Sequence, residues 1–188
     1  MNGRDNYDLN AIDNETKYVL AHSFVEKRTK QKCYEFLKQI KDSCYEQIIE
    51  NYNQEKHKKV EDRKLINFVC DKFASYKSAF SRLFYRIANL SFGVPIACKK
   101  YGLEHNNNPI ERYNGKIKDR MNGMRKGFSS FLGAKDFMNL QCVTHNFINP
   151  HQELKDKTPA EMAEIILPLG RNKILGLVRY LANERNDD

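Results

Sequence analysis

The sequence predicts an α/β protein in which a strand hairpin leads into alternating strands and helices. Three observations support this fold class. Apolar and polar residues alternate near the N-terminus, residues 64–70 form a nearly continuous apolar run, and residues 30–50 carry apolar side chains at helical spacing. At 188 residues, of which 40% are hydrophobic, the chain is long enough for one domain with a small appendage.

The first two elements are predicted to be paired strands. Residues 7–13 alternate at Tyr7, Leu9 and Ala11, which is the period of a strand. Residues 17–25 are rich in β-branched and aromatic types, which favour a second strand. Because only a short polar turn separates these segments, they predict a hairpin.

Helices and strands then alternate. Thr29 is a suitable N-cap for a helix predicted over residues 30–50, and a polar connector follows at 51–59. The apolar run at 64–70 predicts a buried strand, of the kind found in parallel sheets. A helix is predicted over residues 75–88, with Phe80, Leu83 and Phe84 among the residues on its inner face.

The C-terminal half is predicted to be mainly helical. A short strand at 95–99 precedes the helix that opens near residue 108. The next predicted helix covers residues 134–146 and places Phe137, Leu140, Gln141 and Thr144 on one face. Thr158 to Glu161 form a capping box that opens another helix, and residues 171–183 form a last helix. We expect Leu175, Val178 and Leu181 of that last helix to face inward.

The helix near residue 108 carries the most informative motif. Asn108 is a good N-cap, Pro109 suits the first helical position, and Glu111 completes a capping-box pattern. A cationic stripe follows at i, i+4 and i+8, namely Arg112, Lys116 and Arg120. A carboxylate beside a row of cations suits a site that handles phosphate, although helix capping alone would explain Glu111.

A second carboxylate is expected near Glu111. Asp71 directly follows the strand predicted over 64–70, and ligands of α/β sheets bind beyond the carboxyl ends of strands. Glu111 lies in the first turn of the helix after the next predicted strand, so the two carboxylates are predicted to converge. Two oxygen ligands of this kind suit Mg²⁺ or Mn²⁺.

Charge and composition limit the classes of partner and of metal site that the sequence is compatible with. The net charge of +8 indicates a polyanionic partner, with nucleic acid first. The five cysteines are widely scattered without a CxxC pair, which argues against a zinc ribbon. The sequence has neither an apolar run long enough to span a bilayer nor an apolar signal-peptide core, so we expect a cytoplasmic location and no membrane partner.

Four motifs in order resemble the DDE-type transposases of insertion sequences, in the ribonuclease H-like integrase superfamily. The matching segments lie at 11–17, 68–71, 107–114 and 145–161. The resemblance implies a mixed sheet flanked by helices, with a partial ribonuclease H-like catalytic core at 1–127 and a C-terminal helical extension at 128–188.

The resemblance also assigns the site. Asp71 is then the second and Glu111 the third acidic residue of a triad that binds two divalent ions for phosphodiester cleavage and strand transfer. The expected partners are transposon ends and target DNA. The expected DNA-binding residues are basic and follow Glu111, namely Arg112, Lys116, Lys118, Arg120, Arg125 and Lys126.

The sequence departs from the family at its start. The family's first strand, with the first catalytic aspartate, precedes a Gly-Arg turn that corresponds here to Gly3 and Arg4. We therefore expect a sheet lacking its first strand and a chain inactive as given. Two other functions stay open: a non-catalytic basic nucleic-acid-binding protein, and an inhibitory partner of a full-length transposase. Self-association is also expected, because a missing strand leaves sheet edges open.

Overall fold

A computed structural model describes residues 6–71, 73–92, 108–124 and 127–184. The chain divides into two compact units. The first unit comprises residues 1–11 and 20–129, and the second comprises residues 12–19 and 130–188. The tip of the N-terminal hairpin therefore belongs to the second unit, although most of its two strands belongs to the first.

The predicted hairpin is confirmed. Strand β1 (Tyr7–Ile12) pairs with β2 (Val19–Val25), and their short connection requires an antiparallel arrangement. In the turn, Oδ2 of Asp13 accepts hydrogen bonds from the backbone N–H and the hydroxyl of Thr16, both at 2.7 Å. Lys17 has a φ of 60°, which is left-handed, so β2 begins two residues later than the predicted strand.

Helix α1 (Lys30–Glu55) is capped by Thr29 as predicted, but extends five residues beyond the predicted end at residue 50. The polar residues of its last turns are fixed by the loop that follows. The buried Glu55 carboxylate accepts a hydrogen bond from Nζ of Lys58 at 2.6 Å and from the backbone N–H of Lys64 at 2.8 Å. The segment predicted as a polar connector is therefore partly helical and is fixed by these hydrogen bonds.

Strands β3 (Asn67–Cys70) and β4 (Asn89–Phe92) pair in parallel, with Phe68 opposite Leu90. Strand β3 is shorter than the predicted 64–70, and its side chains are exposed or only partly buried, so the prediction of a buried strand is wrong. Within the described ranges, β3 has a partner strand on one side only. Strand β4 was not predicted, and the strand predicted at 95–99 lies outside the described residues.

The two strand pairs are separate two-stranded sheets in the described part of the chain. The mixed α/β character is confirmed, whereas the single ribonuclease H-like sheet stays a prediction.

Helix α2 (Ala74–Phe84) supplies much of the core of the first unit. Phe80, Leu83 and Phe84 are buried, as predicted, and Phe84 is completely enclosed. The ring of Phe68 lies 5.2 Å from that of Phe80 and 4.9 Å from that of Phe84. This aromatic cluster attaches the β3–β4 pair to α2. The first unit is completed by helix α3 (Asn108–Asn122).

In the second unit, helix α4 (Phe131–Val143) begins three residues before the predicted start, because Ser130 caps it through the N–H of Gly133 at 3.0 Å. A π-helical turn (Thr144–Ile148) continues it. Gln141 is buried, whereas Leu140, predicted on the same face, is 59% exposed. The buried face of α4 runs through Ala134, Met138 and Gln141.

The π-helical turn holds the hairpin tip. The amide of Asn146 accepts a hydrogen bond from the Val19 N–H at 2.9 Å and donates one to the Val19 carbonyl at 3.1 Å. Nε2 of His145 donates to the carbonyl of Lys17 at 2.8 Å. The ring of Phe147 packs edge-on against Tyr18, with 6.1 Å between centroids. These contacts give His145 the packing role that is usual for a buried histidine.

The last elements are α5 (Pro159–Met162), opened by the predicted capping box of Thr158 and Glu161, and α6 (Lys173–Glu184). The prediction for the α6 face is wrong, since Leu175, Val178 and Leu181 are 44%, 60% and 52% exposed. The covered side is that of Gly176, where an added Cβ would collide with the backbone carbonyl of Leu169. Among the described helices, none combines the length and apolar character needed to cross a membrane.

Candidate functional site

Asp71 lies directly after β3, at its carboxyl end, as predicted. Its carboxylate forms an ion pair with Arg28, in which Nη1 donates to Oδ2 at 3.1 Å. The Asp71 side chain is 55% exposed and that of Arg28 31% exposed, so the pair lies at the protein surface. Arg28 was not predicted to be a site residue.

The Arg28 guanidinium is also held by two aromatic rings. Its central carbon lies 4.9 Å from the ring centroid of Tyr7, in β1, and 4.5 Å from that of Phe73, which follows β3. Both distances fall within the range of favourable cation–π interaction. The guanidinium therefore links the beginning of the hairpin to the end of β3.

The interior side of Asp71 is apolar. Burial raises the pKa of the Cys70 thiol to about 11, with a further contribution from the Asp71 charge. Burial is also the main cause that raises the pKa of Tyr76 above its usual value, and Asp71 again adds to the effect. Asp71 thus lies at the border between the core and solvent.

Glu111 lies in the first turn of α3 and is exposed, as predicted. The opposite face of the helix carries Tyr113 and Ile117, which are 3% and 5% exposed. Oδ1 of Asn114 accepts a hydrogen bond from Nδ2 of Asn10, in β1, at 3.3 Å. These contacts position the first turn of α3 relative to the hairpin.

The cations after Glu111 lie on the exposed side of α3. The four that the structure describes are all exposed, namely Arg112, Lys116, Lys118 and Arg120. The remaining two predicted DNA-binding residues, Arg125 and Lys126, lie outside the described residues. The described cations lie on one helix and form a basic surface that can contact a phosphate backbone.

A polar cluster on the hairpin was missed by the sequence analysis. Nε2 of His22 lies 2.6 Å from Oδ1 of Asp8, whose other oxygen accepts a hydrogen bond from Nδ2 of Asn10 at 2.7 Å. The His22 and Asp8 side chains are only 7% and 18% exposed. This pairing explains the partial burial of Asp8. The i, i+2 spacing of Asp8 and Asn10 is the signal that could have identified a shared polar face.

The predicted metal ligands have suitable chemistry. Asp71 and Glu111 are exposed carboxylates of the first unit, and oxygen ligands of this kind are preferred by Mg²⁺ and Mn²⁺. No group of three or more metal-binding side chains occurs in the described part of the chain. The convergence of Asp71 with Glu111 therefore stays a prediction.

Comparison with known proteins gives one family. Residues 1–151 match a protein family described as a DDE domain. The matched segment includes both predicted carboxylates and the described cations of α3. No curated protein matches the chain.

Proposed function

The chain belongs to the family of DDE-type insertion-sequence transposase domains, and from this premise we propose that it acts in DNA transposition. The observation that carries the proposal is the family match over residues 1–151. Proteins of this family bind DNA and generally use divalent metal ions. The basic surface of α3 and the exposed carboxylates fit both properties.

Asp71 and Glu111 are proposed to hold Mg²⁺ or Mn²⁺. Two features support this assignment: Asp71 terminates β3 at the protein surface, and Glu111 lies in the first turn of α3. When bound, such an ion activates an attacking oxygen or stabilises the leaving oxygen of a phosphodiester. Around the site, Tyr113, Ile117 and the Asn10–Asn114 hydrogen bond hold α3, and thereby Glu111, in position.

The exposed cations of α3 are proposed to bind the DNA backbone. A phosphate backbone is recognised mainly by charge, so these residues hold the duplex without reading its sequence. Cation side chains close to the carboxylates also lower the repulsion between a carboxylate pair and an approaching phosphodiester.

A polypeptide with this sequence is proposed to be inactive by itself. The resemblance assigns two acidic residues of the triad in this sequence, Asp71 and Glu111, and the Asp8 carboxylate is engaged by His22. With two carboxylates, the negative charge that holds two divalent ions close together is reduced. We expect no Mg²⁺-dependent strand cleavage or joining by the purified 188-residue chain. Robust turnover would contradict this part of the proposal.

Titration with Mn²⁺ tests the metal assignment. Asp71→Asn and Glu111→Gln should each weaken Mn²⁺ binding by about tenfold or more, because each removes a charged oxygen ligand. Asp62→Asn removes an exposed carboxylate elsewhere in the first unit and serves as the matched control. If all three variants bind Mn²⁺ as the unmodified chain does, Asp71 and Glu111 are not the ligands.

A second function, DNA binding without catalysis, is favoured by one observation. In this structure the Asp71 carboxylate is already neutralised by the Arg28 guanidinium at 3.1 Å. Under this alternative, DNA affinity depends on the α3 cations and is independent of Mn²⁺. The same titration, repeated in the presence of duplex DNA, separates the two functions.

A further inference from the structure

Arg28 forms an ion pair with Asp71, the predicted metal ligand, and the sequence analysis gave Arg28 no role. Its guanidinium is held on three sides, by the Tyr7 ring, the Phe73 ring and the Asp71 carboxylate. All four residues belong to the first unit. Such an arrangement restricts a long side chain that would otherwise sample many rotamers.

The two rings hold the guanidinium independently of Asp71. Cation–π contact acts on the faces of the planar group, whereas hydrogen bonds use the N–H groups at its edge. Loss of the Asp71 contact therefore leaves the guanidinium in place between Tyr7 and Phe73. Its edge then becomes available to another oxygen ligand.

Arg28 has donor capacity to spare. A guanidinium carries five N–H donors, and the described structure gives Arg28 one hydrogen bond, from Nη1 to Asp71. The Arg28 side chain is 31% exposed, so a ligand from solvent can approach it. Planar, forked donors of this type match the geometry of phosphate oxygens.

The pair with Asp71 is exchangeable. Asp71 is 55% exposed, and ion pairs this close to solvent are weak because water and salt screen them. A divalent cation binds a carboxylate more strongly than a single guanidinium N–H does. A phosphodiester, in turn, offers the guanidinium a replacement for the carboxylate.

We propose that Arg28 binds a phosphodiester of DNA. Until a divalent metal ion binds to Asp71, the Asp71 carboxylate takes the place of the phosphodiester at the Arg28 guanidinium. This inference rests on the proposed function, because it takes Asp71 as a metal ligand. Without metal, Arg28 neutralises Asp71. With metal bound to Asp71, the guanidinium stays between its two rings and donates to a phosphate oxygen of DNA.

The proposal predicts coupling between the two ligands. Metal binds Asp71 and DNA binds Arg28, so each ligand breaks the ion pair that competes with binding of the other. Metal should therefore raise the affinity for DNA, and by linkage DNA should raise the affinity for metal by the same factor. Without DNA, the positive charge of Arg28 instead opposes metal binding. Removal of that charge should therefore have opposite effects on metal affinity and on DNA affinity.

The test compares variants by Mn²⁺ titration without DNA. Arg28→Gln should bind Mn²⁺ about tenfold more tightly, because it removes the repulsion between the guanidinium and the ion. For a single and a double positive charge a few ångströms apart near solvent, this repulsion corresponds to about a tenfold change in affinity. Arg28→Lys keeps the charge and should stay within about twofold of the unmodified chain. Arg82→Gln is the matched control, because Arg82 stacks on the Tyr34 ring at 4.7 Å without an ion pair among the described residues.

The second measurement is the affinity for a duplex DNA with and without Mn²⁺. Mn²⁺ should increase DNA affinity several-fold more in the unmodified chain than in Arg28→Gln or Arg28→Lys, because both variants lack the forked donor. Circular dichroism establishes that each variant is folded. A folded Arg28→Gln variant whose Mn²⁺ affinity is unchanged or reduced would overturn the inference.

Asp71→Asn separates this inference from the function on which it rests. If Asp71→Asn binds Mn²⁺ as well as the unmodified chain, the metal assignment itself fails and the inference fails with it. If Asp71→Asn loses Mn²⁺ binding while Arg28→Gln gains none, the metal assignment stands and only the role of Arg28 is refuted.

Discussion

Asn146 and Val19 bind each other as residues of neighbouring strands do, although Asn146 uses its side chain. The amide oxygen accepts from the Val19 N–H at 2.9 Å, and the amide nitrogen donates to the Val19 carbonyl at 3.1 Å. Both residues are 3% exposed. A single side chain thereby satisfies both backbone groups of a buried position at the start of β2.

Asn146→Ala should destabilise the protein by about 2–3 kcal/mol, because it leaves the N–H and carbonyl of Val19 buried without partners. Urea denaturation measures this change. Asn139→Ala, at an exposed position of α4, should stay within about 0.5 kcal/mol. Equal destabilisation by both substitutions would show that the amide contacts do not account for the effect.

Glu161 should make stability depend on pH. Nζ of Lys173 at 2.6 Å, and then the Thr158 N–H at 2.8 Å, lower the pKa of this carboxyl below its ordinary value of 4.5. Its contribution is therefore complete above pH 4.5, declines as the pH falls below that value, and is absent below the lowered pKa. Glu161→Gln should remove this component.

Unfolding free energies measured between pH 7 and pH 3 check this expectation. The difference between the unmodified chain and Glu161→Gln should shrink in the acid part of the range. Asp136→Asn, an exposed carboxylate of α4, is the control for a general change in net charge. A difference that stays constant at every pH would exclude the Glu161 carboxylate as its source.

Substitution of Lys116, Lys118 and Arg120 by Gln should weaken duplex DNA binding without sequence preference. Each lost phosphate contact should also reduce the slope of log affinity against log salt concentration by about 0.9. Fluorescence anisotropy over a salt series measures both quantities.

The matched control removes the same number of charges from α1. Lys30, Lys32 and Lys38 are exposed on that helix. Their substitution by Gln should leave the salt dependence nearly unchanged. If the α1 and α3 triple variants lose affinity equally, the attraction comes from net charge and not from a surface on α3.

Phe84→Ala should destabilise the protein by about 3–5 kcal/mol, because it opens a cavity beside Phe68 and Phe80 in the completely buried part of the core. The neighbouring Tyr85 is 66% exposed, and Tyr85→Ala should change stability by about 0.5 kcal/mol or less. Denaturant midpoints of the two variants give the comparison. A small effect at Phe84 would indicate that the core relaxes around the missing ring.

Local chemistry explains what the sequence predicted well. The first turn of α3 with Glu111, and the capping box of Thr158 and Glu161, depend on residues three or four positions apart. Such contacts are contained in any short window of sequence. The hairpin was predictable for the same reason, since alternation and a short polar turn are both local.

Long-range pairing explains what the sequence did not predict. The Arg28–Asp71 ion pair joins residues 43 positions apart, and no periodicity connects them. The helical pattern identified Leu175, Val178 and Leu181 as one apolar face of α6. It did not show which face of the helix the rest of the chain buries. That choice is made by Leu169, whose backbone packs against Gly176. Strand β4 was missed because four residues that mix polar and apolar types give little periodic signal.

The interleaved order of the two units has a practical consequence for dissecting the protein. Residues 12–19 lie early in the chain, yet they are grouped with residues 130–188. A fragment that ends at residue 129 would retain Val19 while losing Asn146. The backbone N–H and carbonyl of Val19 would then lose their hydrogen-bond partners and would have to bind water instead. No single chain break therefore separates the two units. In an N-terminal fragment expressed alone, the tip of the β1–β2 hairpin should lose its ordered structure.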